Sequence, residues 1–141
     1  MPRSRPFLAP PAIVPTMKLQ PDKSNAPTIN AYGQGWLEVN GQKHKQSLIV
    51  SSLPDTPIAI WRPQTFADLS TADFDALMAE GVELVIFGSG NKLHFPQPDW
   101  LQTLIQQGIG LETMDTAAAC RTYNILASEG RKVVAALIIE R

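Results

Sequence analysis

Two stretches of the chain, Leu84-Val85-Ile86-Phe87 and Val133–Ile139, are apolar at every position. A strand that alternates its side chains between two faces is apolar throughout only when both faces are covered. Such strands belong to a central sheet with helices on either side, so these runs point to an α/β architecture. The segments between them fit. Phe74, Leu77 and Met78 follow Ser70 and Thr71 at i, i+3, i+4, which predicts a capped helix stopped by Gly81. Pro98 suits a first helical position, and Leu101, Leu104 and Ile105 predict a second apolar face ending at Gly108. A short strand over Leu111–Met114 leads to Asp115, the expected cap of a third helix over Thr116–Glu129, with Gly130 as its stop.

The first half of the chain reads as β-structure. Thr28–Tyr32 and Trp36–Val39 are short strands, and Asn40-Gly41 is the favoured two-residue hairpin turn, both of whose positions need positive φ. The return strand is expected from Gln42 to Val50. Pro54-Asp55-Thr56-Pro57 marks a loop, and Ile58–Trp61 a buried strand. A β-hairpin followed by alternating helix and strand implies an α/β domain. Right-handed crossovers place helices on both faces of a central, partly parallel sheet.

Residues 1–27 differ. Seven of the twelve prolines lie there, which excludes a helix or a central strand. Arg3, Arg5, Lys18 and Lys23 against Asp22 make this stretch +3, leaving −4 for residues 28–141 of a chain whose net charge is −1. It reads as an extended arm or unordered tail before an α/β domain over 28–141. Prolines break the apolar run Phe7–Pro15 that a secretory signal would need, and they oppose the amphipathic helix of a mitochondrial presequence. The plainer alternative is that Met17 is the true start.

Composition removes several functions. One cysteine cannot build an internal disulfide framework or a multi-cysteine metal site. A pI near 6.1 argues against a general nucleic-acid binder. No apolar run reaches the ~18–20 residues of a membrane span. What remains is a soluble, intracellular globular domain.

Candidate chemistry is sparse. Gly88-Ser89-Gly90 ends a buried strand, where open α/β sheets bind ligands and where glycines let backbone N–H groups approach an anion. Asn91, Lys92 and His94 follow. Yet Leu93 stands where a dinucleotide fingerprint has its third glycine, and no Gly-Lys-Ser/Thr of a triphosphate loop is present. A tight turn is the preferred reading. Cys120, in an alanine-rich helix, reads as small core filler, because nothing places His44 or His94 beside it. Arg121, Asn124 and Ser128 form a polar stripe. It is a solvated face in the plainer reading; in the other, Arg121 and Asn124 join Gly88–Asn91 to grip a carboxylate or phosphate. Trp36, Trp61 and Trp100 are core or partner anchors, and Trp61-Arg62 at a strand end is the candidate partner surface. Lys43-His44-Lys45 is a charged strand that discourages edge pairing. No nucleophile elbow, facing carboxylate pair, metal set or cofactor motif is present.

The block Thr113–Arg131, with its Thr122-Tyr123-Asn124-x-Leu126 stretch and trailing Glu129-Gly130-Arg131, resembles a family of small domains of unknown function. So do Val85–Gly90 upstream and Val133–Ile139 downstream. That family includes the mitochondrial complex I assembly factor three and the adipogenesis-associated Mth-like domain protein, besides bacterial and archaeal members. The resemblance spans roughly Met17 to Glu140. It implies a three-layer α/β fold whose central mixed sheet has its last strand antiparallel to the rest. For function it implies little: its mitochondrial member assists assembly of the respiratory NADH dehydrogenase through protein contacts, with no catalytic residues to carry over. The expectation is therefore a non-enzymatic interaction module or assembly factor for a respiratory or other multi-subunit complex, with a protein partner and no cofactor, in the bacterial cytoplasm or, as the alternative, the mitochondrion. The alternative is a small anionic-ligand binder or enzyme near Gly88–Asn91 and Arg121. A homodimer through apolar helix and tryptophan surfaces is a third reading.

Overall fold

A computed structural model describes residues 26–140; the arm expected over residues 1–27 lies almost wholly outside them. The chain opens with a three-stranded antiparallel sheet, β1 (Ile29–Gly33), β2 (Trp36–Val39) and β3 (Gln42–His44). The Asn40-Gly41 turn forms as expected, with φ of 51° and 84°. The expected single return strand does not form. It breaks after His44, and β4 (Leu48–Ser51) joins a different sheet. The reason is chemical: Lys43, Lys45 and Gln46 are exposed, whereas Leu48 and Val50 are buried. One continuous strand cannot place both sets in a sheet covered on both faces.

The second sheet has the order β5-β4-β8-β6-β7, formed by β5 (Ala59–Ile60), β6 (Leu84–Gly88), β7 (Gly110–Met114) and β8 (Val133–Leu137). β6 runs parallel to both β7 and β8, while β4 is antiparallel to β8 and to β5. The strand that opposes its neighbours is therefore β4, and the expectation that the last strand would do so is corrected. β8 arrives through a helical crossover from β7, which returns a chain to the same end of the sheet and makes it parallel. β4 enters from the small sheet with no crossover to orient it.

Ile58–Trp61, expected to be a buried strand, is instead an edge. β5 has one partner, and Ile60 is 66% exposed. Pro57 and Pro63 flank it and cannot extend a ladder.

Among the described residues, three α-helices complete the fold: α1 (Thr71–Asp75), α2 (Gln102–Gln106) and α3 (Thr116–Ser128). Ser70 caps α1 in a reciprocal box with Asp73, and Asp115 caps α3 by accepting the Ala118 N–H at 2.8 Å. α1 is shorter than its apolar pattern implies, yet Leu77 beyond its end is still buried. Ahead of α2, Pro98–Leu101 forms a 3-10 turn. Its three residues per turn shift the phase of the helix after it, so Leu104 is buried while Ile105, expected on the same face, is 65% exposed.

The alternation along the central strands separates two cores. Val133, Ala135 and Leu137 of β8, with Ile86 and Val50, face Ala119, Cys120, Tyr123 and Ala127 of α3. Ile29, Leu37 and Val39 of the small sheet join that cluster. Val134 and Ala136 of β8, with Val85 and Phe87, face Phe74, Leu77 and Leu104. Helices thus cover both faces, as the uniformly apolar strands require.

Candidate functional site

The turn after β6 is held entirely by the protein itself. Ser89 is buried; its hydroxyl donates to the Lys92 carbonyl at 2.7 Å and accepts the His94 N–H at 3.0 Å. The backbone N–H groups that could have met an anion are each engaged. That of Ser89 donates to the Met114 carbonyl at 2.9 Å, and that of Gly90 to Thr116 Oγ1 at 2.9 Å. That of Asn91 donates to Glu140 Oε1 at 2.7 Å. A carboxylate of this chain therefore sits where an external anion would be expected.

Two glycines permit this arrangement. Gly90 has φ +109°, and a Cβ there would stand 2.5 Å from Glu140 Oε1. At Gly88 a Cβ would meet Leu137, Thr116 and Ala119 at 3.0–3.1 Å, so its absence lets the first turn of α3 lie against β6. Thr116 links the elements further, its hydroxyl donating to the Ile138 carbonyl at 2.7 Å.

Beside this turn lies an open cleft of about 440 Å³ between the β1–β2 hairpin and the start of α3. Gly90 and Asn91 line it together with Tyr32, Trp36, Asp115 and Glu140. Trp36 lies across Gly33, where a Cβ would be 2.5 Å from its indole nitrogen, and the Lys43 ammonium stands 4.5 Å from its ring centre. The ionisable side chains that line the cleft as acids are Asp115 and Glu140, an arrangement that repels an anion.

The remaining candidate residues are distributed around this point. Gly88 and Ser89 lie beneath the turn, outside the cleft lining. Arg121 is exposed and donates to the Tyr32 hydroxyl at 2.7 Å, so it meets the cleft only through Tyr32. Asn124 faces β1: its Oδ1 accepts the Ile29 N–H at 2.9 Å and its Nδ2 donates to the Ile29 carbonyl at 2.8 Å. The side-chain amide thereby pairs with a strand edge as a neighbouring strand would. Tyr123 donates to the Pro27 carbonyl at 2.9 Å, and burial pushes its phenol up. Cys120 is fully buried against the sheet, and burial pushes its thiol up to about 12. It therefore stays a neutral thiol at physiological pH.

Trp61 is corrected from the surface to the interior. It is 2% exposed, stacks edge-on with Phe74 and Phe87, and donates its indole N–H to the Asp73 carbonyl at 3.1 Å. An indole satisfied by that one backbone acceptor can be buried without penalty. Arg62 remains exposed, but its guanidinium forks onto the Asp73 carboxylate at 2.9 and 2.7 Å and also donates to the Asp68 carbonyl. Hydrogen bonds from Arg62 and Ser70 hold the Asp73 carboxyl below the usual carboxylate range, against the opposing effect of its burial.

Sequence reasoning does not single out Glu140, Thr116 or Tyr32. Thr116 comes directly after a helix cap and so carries a faint signal, while Glu140 carries none. Among the described residues, no group of three His, Cys, Asp or Glu side chains is placed to hold a metal ion. No helix among them is long and apolar enough to cross a membrane.

Residues 29–138 match the family described as a protein of unknown function (DUF498/DUF598). The chain is 32% identical over 122 residues to NADH dehydrogenase (ubiquinone) 1 alpha subcomplex assembly factor 3 of Mus musculus, covering 85% of this chain. It spans 64% of that relative's length. A crystal structure from Bordetella parapertussis superposes with a TM-score of 0.75 at 37% identity, covering 82% of this chain and 97% of the other. The solution structure of a Mth938-like domain from Bordetella pertussis gives 0.71 at 32% identity, covering 88% and 93%.

Proposed function

The chain belongs to the DUF498/DUF598 family, and from that premise we propose that it is a non-enzymatic protein-interaction module serving assembly of a respiratory NADH dehydrogenase. The observation that carries this reading is the 32% identity, over 85% of the chain, to a protein named as an assembly factor for that enzyme. The local chemistry supports it. The polar groups gathered after β6 and along α3 are spent on internal bonds, and Cys120 is buried and neutral. A shared fold alone would not transfer the role, so sequence identity is needed beside shape. We place the protein in the bacterial cytoplasm, since bacterial relatives share most of its length; the mitochondrial compartment is the alternative, from the animal relative.

The test is genetic and direct. Deleting the gene should lower the amount of assembled NADH dehydrogenase on native gels, and the tagged chain should co-purify with its subunits. Wild-type amounts of assembled enzyme together with no enzyme subunit on the tagged chain would overturn the reading. The cleft beside Gly90 and Asn91 is where a small ligand would sit in the rival reading. There, stabilisation by an anionic metabolite should disappear in Arg121→Ala, because binding to the native state must raise its apparent stability.

A further inference from the structure

The segment from Asn91 to Pro98 is unusual in how it combines rigidity with exposure. Its base is fixed by buried Ser89, whose hydroxyl makes two bonds to it, and by the Asn91–Glu140 bond. His94 stacks on Phe66 with ring centres 4.9 Å apart, and Phe66 packs in turn on Trp100 at 5.8 Å. With His94 turned onto that aromatic base, Leu93 and Phe95 are left outermost, 52% and 69% exposed. A tethered backbone cannot fold these side chains back onto the core. The entropy of ordering the loop is thus already spent before any partner arrives, which is the condition for a docking anchor.

Charge narrows the partner. Asn91–Pro98 contains Lys92 and no carboxylate, on a body that is net −4 from residue 28 onward. The tip projects as two side chains, so its complement is concave and apolar. An anionic bilayer is disfavoured, because Asp99 adjoins Trp100, Asp68 shares a turn with Phe66, and the body as a whole is negative.

Resting on the interaction reading above, we propose that Asn91–Pro98 is the docking face of this chain. It inserts Leu93 and Phe95 into an apolar groove of a protein partner whose rim offers a carboxylate to Lys92. Phe95 is the central anchor, and the charge pair sets approach and register.

The experiment replaces Phe95 by p-benzoylphenylalanine in the full chain in its own cells, with the same substitution at Ile125 as control. Ile125 is 57% exposed on α3, across the sheet from the loop. The expected result is an adduct from position 95 whose mapped peptide is apolar and carries Asp or Glu, with none from position 125. Lys92→Glu should reduce that adduct severalfold, and Phe95→Ser should weaken the isolated pair by roughly tenfold or more, the size expected of an anchor. An adduct from 125 alone overturns the loop as docking face and leaves the interaction reading standing. Adducts from neither position, with no co-purifying subunit, overturn both. An adduct to lipid, to a basic segment, or to residues 1–25 of this chain overturns the proposal, as does an unchanged yield in Lys92→Glu.

Discussion

Beneath α3 the five-stranded sheet presents Val133, Ala135, Leu137, Ile86 and Val50, aliphatic side chains with no ring among them. On its other side, Phe87 meets Trp61 and Phe74 edge-on, and Phe74 stacks on Trp100 at 5.9 Å. The difference comes from the helices. α3 has thirteen residues and small side chains at Ala119 and Cys120, so it lies close to the sheet, and polar side chains then fasten β1 to it. α1 and α2 have five residues each, too few to be stable helices alone. Large aromatic surfaces supply there what helix length does not. One face is organised by close approach and directional bonds, the other by ring volume.

The sharpest way to break that contrast is on the aromatic face. Phe87→Ala should cost about 3–5 kcal/mol in urea unfolding, because the short helices cannot collapse into the space it leaves. A loss below about 1.5 kcal/mol would show that aromatic volume does not hold that face.

On the α3 face the expected effects are smaller and more local. Asn124→Ala removes both bonds to Ile29 and should cost about 1–3 kcal/mol. Hydrogen exchange should accelerate at the Ile29 amide and stay slow at Val134, which β1 does not touch. Equal acceleration at both would mean that Asn124 supports the whole domain rather than one strand edge. Glu140→Ala frees the N–H of Asn91 and should cost about 1–2 kcal/mol. In that variant inorganic phosphate should raise the melting temperature more than it does in the wild type. An identical response in both would show that Glu140 does not occupy an anion seat.

The Arg62–Asp73 pair gives the smallest effect and a pH signature. Asp73 is held below its ordinary value when folded, so the unfolded chain takes up a proton first as pH falls. Its contribution is complete above the ordinary carboxylate range, near pH ~4, and is lost as pH drops through the lower folded value. Asp73→Asn should cost about 1 kcal/mol through its helix-start bonds and flatten the acid limb of the stability curve. An unchanged acid limb would show that Asp73 does not shape the acid transition.

Much of this fold is legible where residues act on their own neighbourhood. Asp115 caps α3, Asn40-Gly41 turns the hairpin, and the apolar runs become β6 and β8, because caps, turns and periodicity depend on a few adjacent residues. The site is less legible. The Gly88–Asn91 turn is visible in the chain, but Glu140 against it is not, since the two segments are joined only by the return of β8. Trp61 beside Arg62 reads as exposed because its indole acceptor, the Asp73 carbonyl, comes from a helix formed later in the chain.

The sequence alone determined that this chain builds a sheet clothed on both faces, and where α1 and α3 begin, since side-chain period and cap chemistry are properties of short stretches. Tertiary structure alone decided that β4 leaves the hairpin for the second sheet, that β4 opposes the last strand, and that Asn124 closes an edge 95 residues away. Those outcomes depend on which segments share one layer after the crossovers close. No local preference encodes them, because each is selected by burying every apolar face at once.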